Sequence, residues 1–246
     1  YVGNYVDYSF ENPKPCRSST SARDYCSPLV YEPQVDSLFR NRGDGTFEDV
    51  SVASGIRGAF GGALGVVAAD FNGDRWPDIY VANDGVANQL WINDGKGRFV
   101  KDAVMAGVAV NMDGSPEASM GVDAGDFDGD GDEDLFMTHL ARETNTLYIN
   151  DGQGWFEDRT VAMGLANPSF AFTGFGTAWM DYDRDGWLDL LVVNGAVTRI
   201  EEQLMAGDPY PLKQLNQLFR NLGDGRYTEV SGQAGSSFEA SHVSRG

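Results

Sequence analysis

The chain has 246 residues and a formal net charge of −19, with 31 glycines, nine prolines and 12% aromatic residues. That acidity excludes nucleic acid as a partner, because binding phosphate needs a basic surface. No apolar run approaches the roughly 18 residues of a membrane-spanning helix, so membrane insertion is excluded too. The length can bury a sizeable core, and the glycine- and aromatic-rich composition suits many short strands joined by tight turns.

Two motifs alternate along the chain. The first, Leu-aromatic-x-Asn-x-Gly-x-Gly-x-aromatic, appears at Leu38–Phe47, Leu90–Phe99, Leu147–Phe156 and Leu218–Tyr227. Each copy reads as a strand, a glycine-bearing hairpin turn and a second strand. Asn41, Asn93, Asn150 and Asn221 are expected to sit at the strand end and tie down the turn, a structural role. The second motif is Asp-x-(Asp/Asn)-x-Asp-x-x-x-Asp. Its copies are Asp70, Asn72, Asp74 and Asp78; Asp126, Asp128, Asp130 and Asp134; and Asp181, Asp183, Asp185 and Asp189. The first Asp recurs after 56 and then 55 residues.

Three or four carboxylates within nine residues repel one another unless a counter-ion is present. Calcium takes six to eight oxygen ligands in a tolerant geometry, and alternate residues of a tight loop point inward to supply them. Positions 1, 3, 5 and 9 offer side chains, and position 7 a backbone carbonyl, here from Trp76, Asp132 and Trp187. Three calcium sites are therefore expected. Magnesium is disfavoured because it keeps several waters. Zinc and copper are disfavoured because no loop contains Cys or His. The loops are not EF-hands, since position 12 is Val81, Met137 or Val192 rather than Glu, and strand-like segments flank them. Site one carries three carboxylates against four in the others, and by that count it binds most weakly. Cys16 and Cys26 lie in a polar stretch. A free pair is the default in the cytosol; in an acidic calcium-site protein a disulfide is favoured, since millimolar calcium and stable disulfides share the extracellular setting.

One period reads strand, metal loop, strand, connection, strand, glycine hairpin, strand. Four strands per roughly 55 residues is one blade of a β-propeller, so the expected class is all-β with about four blades. Residues 1–246 form a single propeller segment, broken by insertions at 5–36 and 195–217, the second with room for a short helix. Tyr1-Val2-Gly3-Asn4 matches Tyr80-Val81-Ala82-Asn83, the strand after a metal loop. Gly246 stands where Gly65, Gly121 and Gly176 precede one by five residues. By this alignment both ends are cut within a blade, and the partner of the exposed sheets is the remainder of the propeller or another chain.

The calcium loops, each preceded by Gly and followed by Asp-Ile/Leu-aromatic strands, resemble the FG-GAP/VCBS repeats of integrin α-chain propellers. Asn4-Tyr5-Val6-Asp7-Tyr8, Arg23-Asp24-Tyr25-Cys26 and Asp36-Ser37-Leu38-Phe39-Arg40-Asn41 are similar to segments of bacterial proteins related to cartilage acidic protein, of the ASPIC/UnbV type. The resemblance implies a seven-bladed calcium-binding propeller, extracellular, on the cell surface or periplasmic, with its calcium loops on one rim and a role in adhesion or binding.

The leading functional expectation is thus a non-enzymatic calcium-stabilised module that binds a glycan or a surface protein. One alternative is a carbohydrate-active enzyme of polysaccharide-lyase type, for which the connections offer Glu117, His139, Arg142 and Glu143 but no recurring acid–base constellation. His139 directly follows a strand and reads as a strand-end residue. Another alternative is a subunit of a surface assembly or filament. Recognition is expected in the two insertions, where Tyr5, Tyr8, Tyr25, Tyr31 and Tyr210 could stack on sugars or pack their own loops.

Overall fold

A computed structural model of the chain describes residues 1–11, 13–17, 23 and 26–245. Its fourteen strands run β1 Phe39–Asn41, β2 Phe47–Asp49, β3 Ala63–Ala69, β4 Asp78–Asn83, β5 Gln89–Asn93, β6 Phe99–Lys101, β7 Val122–Gly125, β8 Asp134–Met137, β9 Thr146–Asn150, β10 Phe156–Asp158, β11 Gly174–Met180, β12 Asp189–Asn194, β13 Gln217–Asn221 and β14 Tyr227–Glu229. They form three four-stranded antiparallel meanders, β3 to β6, β7 to β10 and β11 to β14, and a two-stranded sheet, β1 with β2. Val2 bridges Ser37 just before β1, so the first residues add a third line to that small sheet. The all-β blade architecture expected from the period is what the chain adopts.

The strand sequences explain their places. The second strand of each full blade is packed on both faces, so it reads as an unbroken apolar run rather than an alternation. β4 and β8 are buried at every residue. The outermost strands β6, β10 and β14 are short and partly exposed. The innermost strands β3, β7 and β11 lie side by side, and Trp179 N donates to Asp123 Oδ2 of the neighbouring blade at 3.0 Å.

The core lies between blades rather than within them. One cluster gathers Phe71, Tyr80 and Leu90 of one blade with Leu135, Met137 and Tyr148 of the next. A second gathers Phe127, Phe136 and Leu147 with Leu190, Phe219 and Tyr227. Inner strands approach so closely that a side chain is forbidden at two crossings. A Cβ on Gly65 would lie 2.3 Å from Met120 O, and one on Gly121 would lie 1.7 Å from Phe175 O. These are the glycines that precede a metal loop by five residues.

Gly121→Ala should therefore force two blades apart and cost about 1–3 kcal/mol or more, lowering the melting temperature by several degrees. Gly58→Ala, with open space around the new methyl, should leave the melt unchanged in the same calorimetric comparison.

Candidate metal centre

Each nine-residue motif forms the connection between the first and second strands of a full blade, and the three loops share one backbone path. Positions 4 and 6 are left-handed in all of them: Gly73 and Arg75 (φ 74° and 72°), Gly129 and Gly131 (81° and 96°), Arg184 and Gly186 (63° and 92°). That turn aims successive N–H groups at the first aspartate. Asp70 accepts from Asp74 N and Arg75 N at 3.1 and 2.7 Å, Asp126 from Gly129 N and Gly131 N at 2.8 and 3.1 Å, and Asp181 from Asp185 N and Gly186 N at 3.0 and 3.1 Å. Position 5 is fixed in turn, since Asp74, Asp130 and Asp185 each accept the N–H of the residue at position 7.

The ninth-position aspartates are fully buried. One oxygen of each accepts from position 2 of its own loop, Phe71 N, Phe127 N or Tyr182 N. The other accepts from the hairpin asparagine, Asn93 N, Asn150 N or Asn221 N, at 2.8 to 2.9 Å. The asparagines close the tie as expected. Asn93, Asn150 and Asn221 accept the N–H of Gly95, Gly152 and Gly223, and Asn41 that of Gly43. Asn150 Nδ2 and Asn221 Nδ2 also reach into the neighbouring blade, to Phe71 O and Phe127 O. At position 7 the indoles of Trp76 and Trp187 lie over Gly95 and Gly223, and the Asp132 carboxylate lies over Gly152.

Carboxylate oxygens of Asp126, Asp128 and Asp130 lie within 4.8 Å of one another, as do those of Asp181, Asp183 and Asp185. In loop one Asn72 takes the middle place and its Nδ2 donates to Asp74 Oδ2 at 3.2 Å. Burial, reinforced by neighbouring carboxylates, pushes Asp78 up to about 6 and Asp134 up to about 7, and raises Asp128 and Asp189. Burial first and like charge second both disfavour the ionised form. An all-oxygen donor set of this kind fits a hard divalent cation and gives a soft metal nothing to hold.

Loop three differs in one respect that the motif does not reveal. Arg220, on β13 where the other full blades carry Ile92 and Ile149, brings Nε to 2.6 Å from Asp183 Oδ2 and a terminal nitrogen to 2.9 Å from Asp185 Oδ2. Its guanidinium contacts two of the four carboxylates and cancels one negative charge, so the net charge around loop three falls to that of loop one.

The opposite rim carries a second set of ties. Asp36, Asn88, Asn145 and Asn216, each two residues before the leucine of a hairpin motif, accept the N–H of Asn4, Asn83, His139 and Asn194. A recurring Asp/Asn at that offset was the available signal. His139 is buried at the end of β8. Its Nδ1 faces Thr144 O at 2.8 Å and must carry the proton, so Nε2 accepts from Ser119 Oγ at 3.0 Å. Glu117 lies 3.8 Å from that same Nε2, and Ser119 is wholly buried. A catalytic triad needs the acid on the other ring nitrogen and an accessible hydroxyl, so this trio does not supply one. Arg142 takes a left-handed turn (φ 80°), and Glu143 accepts from Ala118 N and Leu140 N. Cys16 and Cys26 form a disulfide with Cα atoms 5.1 Å apart. Of the insertion tyrosines, Tyr25 lies outside the described residues.

Blades of four antiparallel strands with a carboxylate loop between the first two define a repeat class. The FG-GAP-like repeat model matches residues 29–81, 70–137 and 126–192, and the chain belongs to that family. Among curated proteins, cartilage acidic protein 1 of Xenopus tropicalis is 32% identical over 165 residues, 64% of this chain and 25% of that protein. Its Homo sapiens counterpart is 28% identical over 185 residues, 74% of this chain and 27% of that protein. The chain thus spans about a quarter of the length of these relatives. A solved structure described by specific recognition of non-reducing terminal N-acetylglucosamine by an Agrocybe aegerita lectin overlaps with a TM-score of 0.45 at 17% identity, covering 80% of this chain and 45% of that one.

Two outcomes follow from this geometry. Arg220→Ile should tighten divalent-cation binding at loop three by up to about tenfold, the scale of one charge-assisted contact, when isothermal titration compares it with the parent; unchanged affinity would dismiss the guanidinium as a competitor. Burial holds His139 down to about 4, below its usual 6.5, so folding favours the neutral ring, and its contribution is lost as pH falls from about 6.5 towards 4. Burial pushes the adjacent Glu117 up to about 7, so across this window it is largely neutral and offers the imidazolium no counter-charge. The stability gap between the parent and His139→Gln should therefore narrow on acidification, as read by paired melts at pH 7 and pH 4.5.

Proposed function

We propose that this chain is a non-enzymatic, extracellular binding module whose three acidic loops hold calcium as structural clasps. The ligands would be Asp70, Asn72, Asp74, Asp78 and the Trp76 carbonyl; Asp126, Asp128, Asp130, Asp134 and the Asp132 carbonyl; and Asp181, Asp183, Asp185, Asp189 and the Trp187 carbonyl. The observation that carries the reading is the link from loop to core. Position 2 of loops one and two is a phenylalanine buried between blades, Phe71 edge-on to Phe156 and Phe127 stacked on Trp179. A cation that fixes the loop therefore also fixes the packing, and its binding free energy adds to folding free energy. Extracellular placement is supported by the disulfide and by millimolar calcium outside cells; among the described residues no helix is long and apolar enough to cross a membrane.

Binding is assigned to the rim opposite the loops. Residues 195–217 follow β12, the second strand of its blade, and Tyr5 of the 5–36 insertion is tied to Asp84 just past β4, so both insertions lie at the end away from the acidic loops. Residues Glu201–Met205 form a short helix there. The role is adhesion or capture of a surface glycan or protein, on a rigid scaffold that presents two long connections. Completing the ring, with the rest of the same protein or with another chain, is part of this reading.

Chelation with EDTA should lower the melting temperature by about 10 °C or more, since three linked sites each contribute a few kcal/mol. An unchanged melt would reject calcium as a clasp. Incubation with a polysaccharide panel should release no new unsaturated or reducing ends; such products would replace the binding reading with the lyase.

A further inference from the structure

The two insertions, residues 5–36 and 195–217, line one hollow of about 700 Å³. That volume is of the size that holds a small organic ligand or a short oligosaccharide. Its lining is unlike the rest of the molecule. From residues 5–36 it receives Tyr5, Tyr8, Tyr31, Lys14 and Arg23, and from the other insertion Arg199. The chain has 37 acidic residues against 18 basic ones, yet the described lining contains three cations and no carboxylate.

Seven of the cations elsewhere are compensated by an acidic side chain, while Arg75, Lys96, Arg98, Lys101, Arg142 and Arg184 lie outside this hollow. Arg40, Arg42, Arg57, Arg159, Lys213, Arg220 and Arg226 each pair with an Asp or Glu. Lys14, Arg23 and Arg199 form no ion pair with a described residue. Lys14 instead donates to Val30 O and lies 4.8 Å from the centroid of the Tyr31 ring. Three like charges around a concave surface reinforce one another's potential, and an anion entering there meets all of them at once.

The hollow is also built to keep its shape. A disulfide joins Cys16 to Cys26, and both residues belong to the lining. Tyr5 Oη donates to Asp84 Oδ2 of the next blade at 2.5 Å, which anchors the insertion to the propeller body. Tyr8 meets Tyr31 edge to face with centroids 5.6 Å apart. Tyrosine is held rigidly by two torsions and offers an apolar face with a polar tip. That suits a sugar ring, which is apolar on its C–H face and polar at its rim.

The geometry points to an acidic saccharide as the ligand of this hollow: a sugar whose ring packs on Tyr8 and Tyr31 and whose carboxylate or sulfate is held by Arg23 and Arg199. A peptide is the weaker fit. Among the described residues bordering the hollow there is no strand for a peptide to extend, only the isolated bridges of Val6 to Pro33 and Arg17 to Arg23. This assignment rests on the binding-module reading above and gives its ligand a chemical class.

The test is calorimetric titration of the intact chain in millimolar calcium with four probes. These are a glucuronate-containing tetrasaccharide, its sulfated counterpart, the same tetrasaccharide with its carboxyls reduced to alcohols, and an oligoglutamate of similar charge. One or both acidic sugars should bind, and they tell carboxylate from sulfate. The neutral sugar and the peptide should bind at least about tenfold more weakly, and higher salt should weaken the acidic sugars. Arg199→Ala and Arg23→Gln, both at exposed positions, should each lower acidic-sugar affinity by about tenfold or more, the scale of a lost charge-assisted contact, with the calcium-loaded melt unchanged. Equal binding of the reduced sugar, tighter binding of oligoglutamate, or indifference to both substitutions would overturn the assignment. Melts with and without EDTA on the same samples separate the two readings. No sugar binding with a large EDTA effect defeats only the ligand class, whereas no EDTA effect defeats the calcium clasp whatever the sugars do.

Discussion

Everything in this molecule depends on how a cluster of like charges is made tolerable at the end of each blade. The ninth aspartate of every loop is buried, and each of its oxygens takes one backbone N–H, the first from its own loop and the second from the hairpin across the blade. That double tie brings the first strand's exit, the second strand's start and the third strand's end to one point. It also places a carboxylate where burial and its neighbours raise its affinity for protons. The same charge that organises the blade would weaken it if left uncompensated. In loop three the Arg220 guanidinium eases the conflict, and in every loop the all-oxygen donor set suits a hard divalent cation.

The consequence spreads through packing. Because the loop's second residue is a buried aromatic in two of three blades, loop geometry and inter-blade core are one unit. Inner strands cross with glycine at the contact, so the blades cannot slide to accommodate a deformed loop. The opposite rim is held by a separate device, in which a side-chain amide or carboxylate caps the end of each second strand. That rim is therefore free to carry long insertions without disturbing the acidic loops, and the cationic, tyrosine-lined hollow is found there.

Much of this was legible in the chain. The carboxylate spacing, its 55-residue period and the glycine hairpins located the loops, the blades and the hairpin asparagines, because each demands particular residue types at fixed offsets. The Asp/Asn two residues before each hairpin leucine is equally regular but does not by itself mark a tie, since a lone polar residue in a connection has many ordinary explanations. Arg220 was illegible for a different reason. It stands 31 residues beyond the last carboxylate of its loop, and only strand pairing carries it there.

The sequence by itself determined the all-β repeat architecture, the all-oxygen chemistry of the loops and the segments that break the period, because local spacing along a strand or tight turn places side chains without knowledge of the rest. Only the tertiary structure decided which elements meet: that both insertions leave by the same rim, that Arg199 joins Lys14 and Arg23 around one cavity, and that His139 and Ser119 are sealed inside. Those outcomes follow from how successive blades are set side by side, and that arrangement is fixed by inter-blade contacts between residues more than fifty positions apart, which no local pattern encodes.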